Sequence, residues 1–326
     1  MTRGAIVGFG EVARHGHWPA YADSRLLSIV AVVERSAERR ALAASLAPGL
    51  RTYETLDALA VAETVDFIDI CTPPALHGAP MLAGLKRGWH VVCEKPFLLD
   101  AGLLTRARAL ADARGVAAVP VHNWKFAPIV REATARLRRG DIGRLERVTI
   151  ETERLRDFKG ADPDHPNWRR DPAVAGGGIL MDHGWHALYL ALHWFEEDVR
   201  RVDASFHRPG PGAVEDEAKV RLIFDRGEAS IALTWNGTAR RNSMQLVGDR
   251  GSMTIADDRL LVHTTAGDED VMYPVALSGG SHHADWFAAF IPQLARYFED
   301  PHSSRAAFDE AAACFSIIQR AYAAAV

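Results

Sequence analysis

The sequence predicts an α/β chain in two parts: an N-terminal doubly wound parallel sheet, then a C-terminal α+β domain on a largely antiparallel open sheet. Three observations predict it. At 326 residues the chain exceeds the size at which single hydrophobic cores stop growing, so two domains are expected. Residues 1 to 121 alternate short β-branched apolar runs with longer alanine- and leucine-rich stretches, the rhythm of βαβ units. From residue 122 onward, several short strand patterns follow one another with only turn signals between them, which implies antiparallel pairing. The expected domains are therefore residues 1–121 and 122–326.

In the first part the strand candidates are Ala5–Val7, Leu27–Val33, Phe67–Cys71, Val91–Cys93 and Val116–Val121. Such unbroken apolar runs suit parallel strands buried on both faces, and right-handed crossovers make the doubly wound arrangement the economical solution. In the second part a helical stretch to about Gly140 leads into a strand over Arg147–Arg154 and a helix from about Ile179 to Phe195. Strands follow at Val202–His207, Ala218–Phe224, Ala229–Trp235, Ser243–Val247 and Ser252–Ile255. Asp225-Arg226-Gly227 and Gly248-Asp249-Arg250-Gly251 supply turns, and helical patterns at about 282–299 and 304–324 close the chain.

Composition narrows the function. Thirty-eight basic against 42 acidic residues give a net charge of -4 with no basic block, which argues against a nucleic-acid partner. Cys71, Cys93 and Cys314 are odd in number and far apart, which fits a reducing, cytoplasmic setting better than a disulfide framework or a metal site. The first apolar run is too short for a signal peptide or membrane span, so neither export nor a membrane partner is expected.

The chemistry begins at the first strand's end. Gly8-Phe9-Gly10-Glu11-Val12-Ala13 is a G-x-G-x-x-A turn opening a helix. The glycines allow a tight bend and close approach to a pyrophosphate, the alanine permits helix–strand packing, and the helix N-terminus offers N–H groups to the anion. Glu34 closes the second strand 24 residues after Gly10, near the spacing expected of a carboxylate that holds the adenine ribose. Together these read as a Rossmann-type dinucleotide site, against the alternative of a purely structural glycine turn. Glu34 favours NAD. Arg35, Ser36, Arg39 and Arg40 follow it and leave NADP open, although a solvated helix face would explain the arginines equally.

Two further segments, Asp69-Ile70-Cys71-Thr72-Pro73-Pro74 and Glu94-Lys95-Pro96, lie at the carboxyl ends of strands, where open α/β sheets bind ligands. Lys95 there suits proton chemistry, the alternative being a surface lysine. In the second part, Gly176-Gly177-Gly178 leads into Asp182, His183 and His186. Asp182 and His186 are four apart and expected on one helix face. A histidine is a natural general acid or base and a nearby carboxylate can hold it or a substrate hydroxyl; a capped helix with a structural histidine is the bland alternative. A metal held by Asp182, His183, His186 and His193 is not expected, because neighbouring positions diverge on a helix. Trp124, Trp168, Trp235 and Trp286 could equally be a sugar-stacking wall or core.

These pieces resemble the Gfo/Idh/MocA oxidoreductases, the family of glucose-fructose oxidoreductase and inositol dehydrogenase. The resemblance spans the glycine turn at 8–13, Thr72-Pro73, His77, Glu94-Lys95-Pro96, the segment from His122 to Pro128, Gly140-Asp141-Ile142-Gly143, Trp168-Arg169 and the run into Asp182 and His186. It implies that Lys95, Asp182 and His186 are catalytic. Thr72, Pro73, His77, Glu94, Asn123, Trp168 and Arg169 would flank cofactor or substrate, with His183 beside the substrate. It implies NAD(P)-dependent hydride transfer at a hydroxyl or carbonyl carbon of a sugar, inositol or similar polyol, in a homodimer or homotetramer. Two other functions fit the same fold: a glycosidase or isomerase using bound NAD transiently, and a non-catalytic dinucleotide sensor. A sensor would be expected to have lost one of Lys95, Asp182 and His186. Asn123-Trp124-Lys125 and His183 depart from the usual family pattern.

Overall fold

The computed structural model describes residues 1–157 and 167–324. The chain divides into two compact units. The first gathers Met1–Val121, residues 167–168 and His282–Ala312; the second holds the remainder, and the division falls inside the last helix, after Ala312.

In the first unit the strands are β1 (Thr2–Val7), β2 (Leu27–Val33), β3 (Arg51–Tyr53), β4 (Phe67–Ile70), β5 (His90–Cys93) and β6 (Ala118–Pro120). They form one parallel sheet in the order β3-β2-β1-β4-β5-β6, so the doubly wound expectation holds. The predicted runs became strands because each is apolar enough to be buried on both faces; β4 and β6 are buried throughout. Strand β3 has no such run and went unpredicted.

Local chemistry sets the helix ends. Ser36 and Thr55 accept the Arg39 and Ala58 N–H groups ahead of α2 (Ala37–Leu46) and α3 (Leu56–Ala62). Asp100 accepts the Leu103 N–H at 2.7 Å ahead of α5 (Ala101–Arg114), and Gly115 ends that helix at φ 63°. Between β4 and β5 runs α4 (Gly78–Lys86). The helix after the glycine turn widens into a π turn at Ala13–His17 before α1 (Trp18–Ala22). His17 is thereby buried at 1% exposure, while His15 remains exposed.

The domain expectation needs one correction. Helix α9 (Ala284–Glu299) belongs with the first unit rather than the second, because its aromatic face covers that sheet. Phe287 stacks on His17 at 3.8 Å and meets Tyr21 edge-on, and Phe298 packs on Phe67 and His90. Phe308 packs edge-on against Phe97. Ion pairs of Arg108 with Asp309 and Arg305 with Asp112 flank the join.

The second unit is an eight-stranded sheet: β7 (Leu145–Glu153), β8 (Arg201–His207), β9 (Glu217–Ile223), β10 (Glu228–Thr234), β11 (Arg241–Gly248), β12 (Gly251–Ala256), β13 (Arg259–Thr264) and β14 (Gly267–Met272). The order is β14-β13-β12-β11-β7-β10-β9-β8, antiparallel except for β7 beside β10. Alternation gives it one apolar face, with Val148, Ile150, Val220, Leu222, Ile231, Leu233, Met244 and Leu246 all buried, against which α6 (Pro128–Arg139) and α8 (Trp185–Phe195) pack; the single-turn α7 (Pro172–Ala175) lies between them in sequence. Strands β13 and β14 were not predicted; the acid-rich Gly-Asp-Glu-Asp of β14 is exposed and lacks any apolar signal.

Gly4 of β1 shows how tightly the first sheet is faced. A Cβ there would overlap the ring of Phe67, itself fully buried. Gly4→Ala should destabilise the protein by about 1–3 kcal/mol, the usual cost of overpacking, read as an earlier urea midpoint at an unchanged slope.

Candidate cofactor and catalytic sites

The first unit presents the glycine turn where the strand order reverses, between β1 and β4. Gly8 has φ 88°, and a Cβ there would stand 2.7 Å from Thr72 Cγ2, so the turn needs glycine for both conformation and space. A Cβ on Gly10 would meet nothing within 4 Å, which leaves the backbone open to a close ligand at the start of the helix that follows. Glu34 is buried beside this turn. Its Oε2 accepts the Phe9 N–H at 2.8 Å, its Oε1 accepts the Ser36 N–H at 2.9 Å, and Arg39 lies 3.7 Å away. Arg40 is occupied elsewhere, donating to the carbonyls of Glu34 and Arg35. An open glycine cradle, a helix N-terminus and an adjacent carboxylate fit a dinucleotide. Gly8 through Val12 would hold the pyrophosphate, with Glu34 near the ribose.

Beneath the ends of β4 and β5 lies a polar cluster in an apolar sheet. His17 Nδ1 meets Asp69 Oδ2 at 2.7 Å and Nε2 meets Glu94 Oε1 at 3.0 Å, with all three residues buried. Burial alone would lower the His17 pKa, but the charge of Asp69 and the hydrogen bonds of Asp69 and Cys71 raise it well above 6.5. Burial would raise Glu94, but the hydrogen bond and charge of His17, then the charge of Lys95, bring it below 4.5. The cluster is thus an imidazolium between carboxylates. Cys71 Sγ also touches His17 at 3.3 Å, and burial followed by the Asp69 charge pushes this thiol up to about 12. His17, Asp69 and Cys71 carry donor atoms within 4.8 Å of one another, and both imidazole nitrogens are engaged by carboxylates.

The second oxygen of Glu94 accepts the Lys95 N–H at 3.0 Å, which ties the lysine's main chain to the cluster. His77 is fully buried; one ring nitrogen lies 2.7 Å from the Thr72 carbonyl and the other 2.9 Å from that of Pro96. It therefore joins the Thr72-Pro73 turn to the Lys95-Pro96 turn as a brace between the two segments.

In the second unit Asp182 lies in a π turn, Leu180–Gly184, that runs into α8 and His186. The preceding glycines are needed because two groups press on them: a Cβ on Gly178 would overlap the Glu215 backbone, and one on Gly177 the Tyr322 hydroxyl. Glu215 is 2% exposed, and its Oε1 accepts the N–H groups of Gly178 and Leu180 at 3.0 and 3.1 Å and the Tyr322 O–H at 2.8 Å. One buried carboxylate thus satisfies the N–H groups that open this helical segment. Asp182 is 3.3 Å from Arg169 Nε and 3.5 Å from His183 Nδ1.

His186 is held on two sides. Its ring stacks on Trp124 at 4.6 Å and 14°, and Nδ1 lies 2.9 Å from the Tyr189 hydroxyl, which also accepts the Trp124 N–H. Tyr189 stacks on His122, whose Nε2 accepts the Trp185 indole N–H at 3.0 Å. Lys125 Nζ stands 5.7 Å over the Tyr189 ring. Asn123 opens this turn and is half-buried, as is Trp168. Trp235 and Trp286 are 1% and 2% exposed, so they are core rather than a stacking wall.

Sequence reasoning missed His17, Tyr189 and Glu215. An acid at position 69 inside an otherwise apolar buried strand was the visible sign of the first cluster, since such a charge requires a partner.

Two units, one with a dinucleotide cradle at the switch of a doubly wound sheet and one with a braced Asp-His helix on an open sheet, define a two-domain oxidoreductase architecture. Residues 2–122 match the oxidoreductase family with an NAD-binding Rossmann fold, and residues 130–254 match the GFO/IDH/MocA C-terminal domain. The chain belongs to the Gfo/Idh/MocA oxidoreductases, and its first unit is their NAD-binding domain. It is similar to D-apiose dehydrogenase of Paraburkholderia graminis (29% identity, covering 81% of this chain and 70% of that protein) and to D-glucoside 3-dehydrogenase of Escherichia coli (29%, 78% and 76%). Among solved structures it is similar to KijD10, a 3-ketoreductase from Actinomadura kijaniata in complex with NADP, with TM-score 0.84 at 20% identity over 99% of this chain and 98% of that one.

Two predictions follow the geometry. Gly178→Ala should push the helical segment off Glu215 and lower both turnover and the melting temperature, because the added Cβ meets backbone that cannot yield cheaply, as steady-state kinetics beside thermal unfolding would show. Because His17 is raised above its unfolded value of 6.5, its contribution to stability is complete below that pH and is lost as pH rises through the folded value. The depressed Glu94 contributes above 4.5 and loses its share as pH falls through its folded value. The stability gap between wild type and His17→Gln should therefore be widest near about pH 6 and narrow in alkali, measured by urea unfolding across pH.

Proposed function

We propose that the protein is an NAD(P)-dependent dehydrogenase or reductase that interconverts a hydroxyl and a carbonyl carbon of a sugar, inositol or similar polyol. Family membership across both units, with Lys95, Asp182 and His186 all present and each on a braced support, carries this reading. The sugar-directed names of the relatives support the substrate class.

When bound, the nicotinamide supplies the hydride acceptor or donor. The chain's own residues then have separate tasks. His186 takes the hydroxyl proton on oxidation and returns it on reduction; its contacts with Trp124 and Tyr189 fix the ring that does so. Lys95 stabilises the developing oxyanion. Asp182, beside Arg169 and His183, orients the substrate hydroxyl, and Asn123, Trp168, Arg169 and His183 line the substrate. Thr72, Pro73 and Glu94 shape the cofactor's surroundings with Arg35 near the ribose end. The carboxylate of Glu34 beside the glycine turn favours NAD over NADP, because it repels a 2′-phosphate.

The second unit is assigned the substrate and the contacts of a homodimer or homotetramer. No helix among the described residues is long and apolar enough to cross a membrane. The three cysteines are buried thiols, in keeping with the cytoplasmic setting proposed here.

Fluorescence titration with NADH and NADPH, followed by an absorbance screen over inositols, hexoses, uronic acids and keto-sugars, tests the reading. Tighter NADH binding and turnover on a member of the panel are expected; NADH binding without net redox on any member would overturn it. Lys95→Met and His186→Ala should each lower kcat by about 10²- to 10⁴-fold, the range for losing an acid–base group, with NADH affinity nearly intact. Loss of NADH affinity in either variant would count against the assignment.

A further inference from the structure

We infer that His17 is a positioning residue for Lys95: clamped between Asp69 and Glu94, its ring fixes the carboxylate that in turn holds the Lys95 main chain. The inference rests on the reading of Lys95 as a catalytic residue, and extends it to a residue on a different element.

The chain of contacts is continuous and lies wholly within the first unit. Phe287 of α9 stacks on one face of the His17 ring at 3.8 Å, so the ring has little freedom to rotate. Its two nitrogens engage Asp69 at the end of β4 and Glu94 just beyond β5. Glu94 then spends one oxygen on His17 and the other on the Lys95 N–H. Asp69 lies within β4 and Glu94 just beyond its neighbour β5, with Asp69 pairing with Val92 and Ile70 with Cys93, so the histidine spans the step between them. The group is too deep to meet solvent: His17 is 1% and Asp69 0% exposed. A buried ion set of this kind contributes little net stability compared with apolar packing. Its value lies in geometry, because a carboxylate with both oxygens committed cannot turn.

The test separates positioning from simple charge burial. His17→Leu/Asp69→Leu removes the clamp without stranding Asp69 in the core, while Glu94→Ala removes the acceptor that forms its last link. The double variant should melt close to wild type, bind NADH within about threefold, and keep its KM. It should lose about 10²-fold in kcat, the scale of a misplaced catalytic group. Glu94→Ala should reproduce the loss in kcat and the faster Lys95 exchange, and the triple variant should be no slower than Glu94→Ala, since both act through one carboxylate. Independently of turnover, amide exchange at Lys95 should speed up by at least about tenfold in the double variant, reporting a freed turn.

Wild-type kcat and unchanged Lys95 exchange in the double variant would overturn the inference, as would kcat and NADH affinity falling together with melting temperature. If the double variant does not fold, His17→Gln decides by the same measurements. Lys95→Met with wild-type turnover would instead sink the catalytic role of Lys95, and faster Lys95 exchange in the double variant would then show that the clamp exists but serves another end.

Discussion

A sheet buried on both faces leaves polar side chains few places to go, and the first unit turns on how one such group is satisfied. Asp69 sits within β4, fully buried, where an unpaired carboxylate would be costly. His17 supplies the compensating charge, Glu94 shares it, and Phe287 closes the ring in. Each of these four comes from a different part of the chain: the helix after the glycine turn, two strand ends, and α9. The glycine turn, the Thr72 turn and the Lys95 turn are therefore mechanically connected, with His77 as a second tie between the latter two.

The second unit solves a similar problem with opposite means. The segment carrying Asp182 begins with N–H groups that no earlier turn can accept. Glu215 reaches them from the loop ahead of β9, and Tyr322 adds a hydroxyl. Glycine at 177 and 178 is what lets these groups come so close. The triple glycine is thus not a hinge by composition but a contact surface, and the rigidity it permits is passed along α8 to His186.

The sequence made the central strands and the motif residues legible because each carries its own local signal: an apolar run, a glycine turn, a proline after a strand. Strands β3 and β14 carried none, being short or charged, and exist only because neighbouring strands accept their hydrogen bonds. The same division runs through the sites. Gly8, Gly10, Glu34, Lys95, Asp182 and His186 stand in recognisable patterns, and the structure gives each a defined support. His17, Tyr189 and Glu215 do not, because what makes them matter is a partner 52, 3 or 37 residues away, and two of those three distances cannot be read from any local pattern. His77 shows the reverse: a motif position whose burial makes it a brace.

Helix α9 has a consequence for how the protein comes into being. The ring that covers His17 arrives at residue 287, after the entire eight-stranded sheet has been made. As the chain emerges from the ribosome, residues 1–121 can pair their strands, but His17 and Tyr21 wait for Phe287, and Phe67 for Phe298, until the strands of the second unit have been made. The nucleotide-binding half is thus begun before the eight-stranded sheet and completed after it, and its maturation is coupled to the synthesis of that sheet.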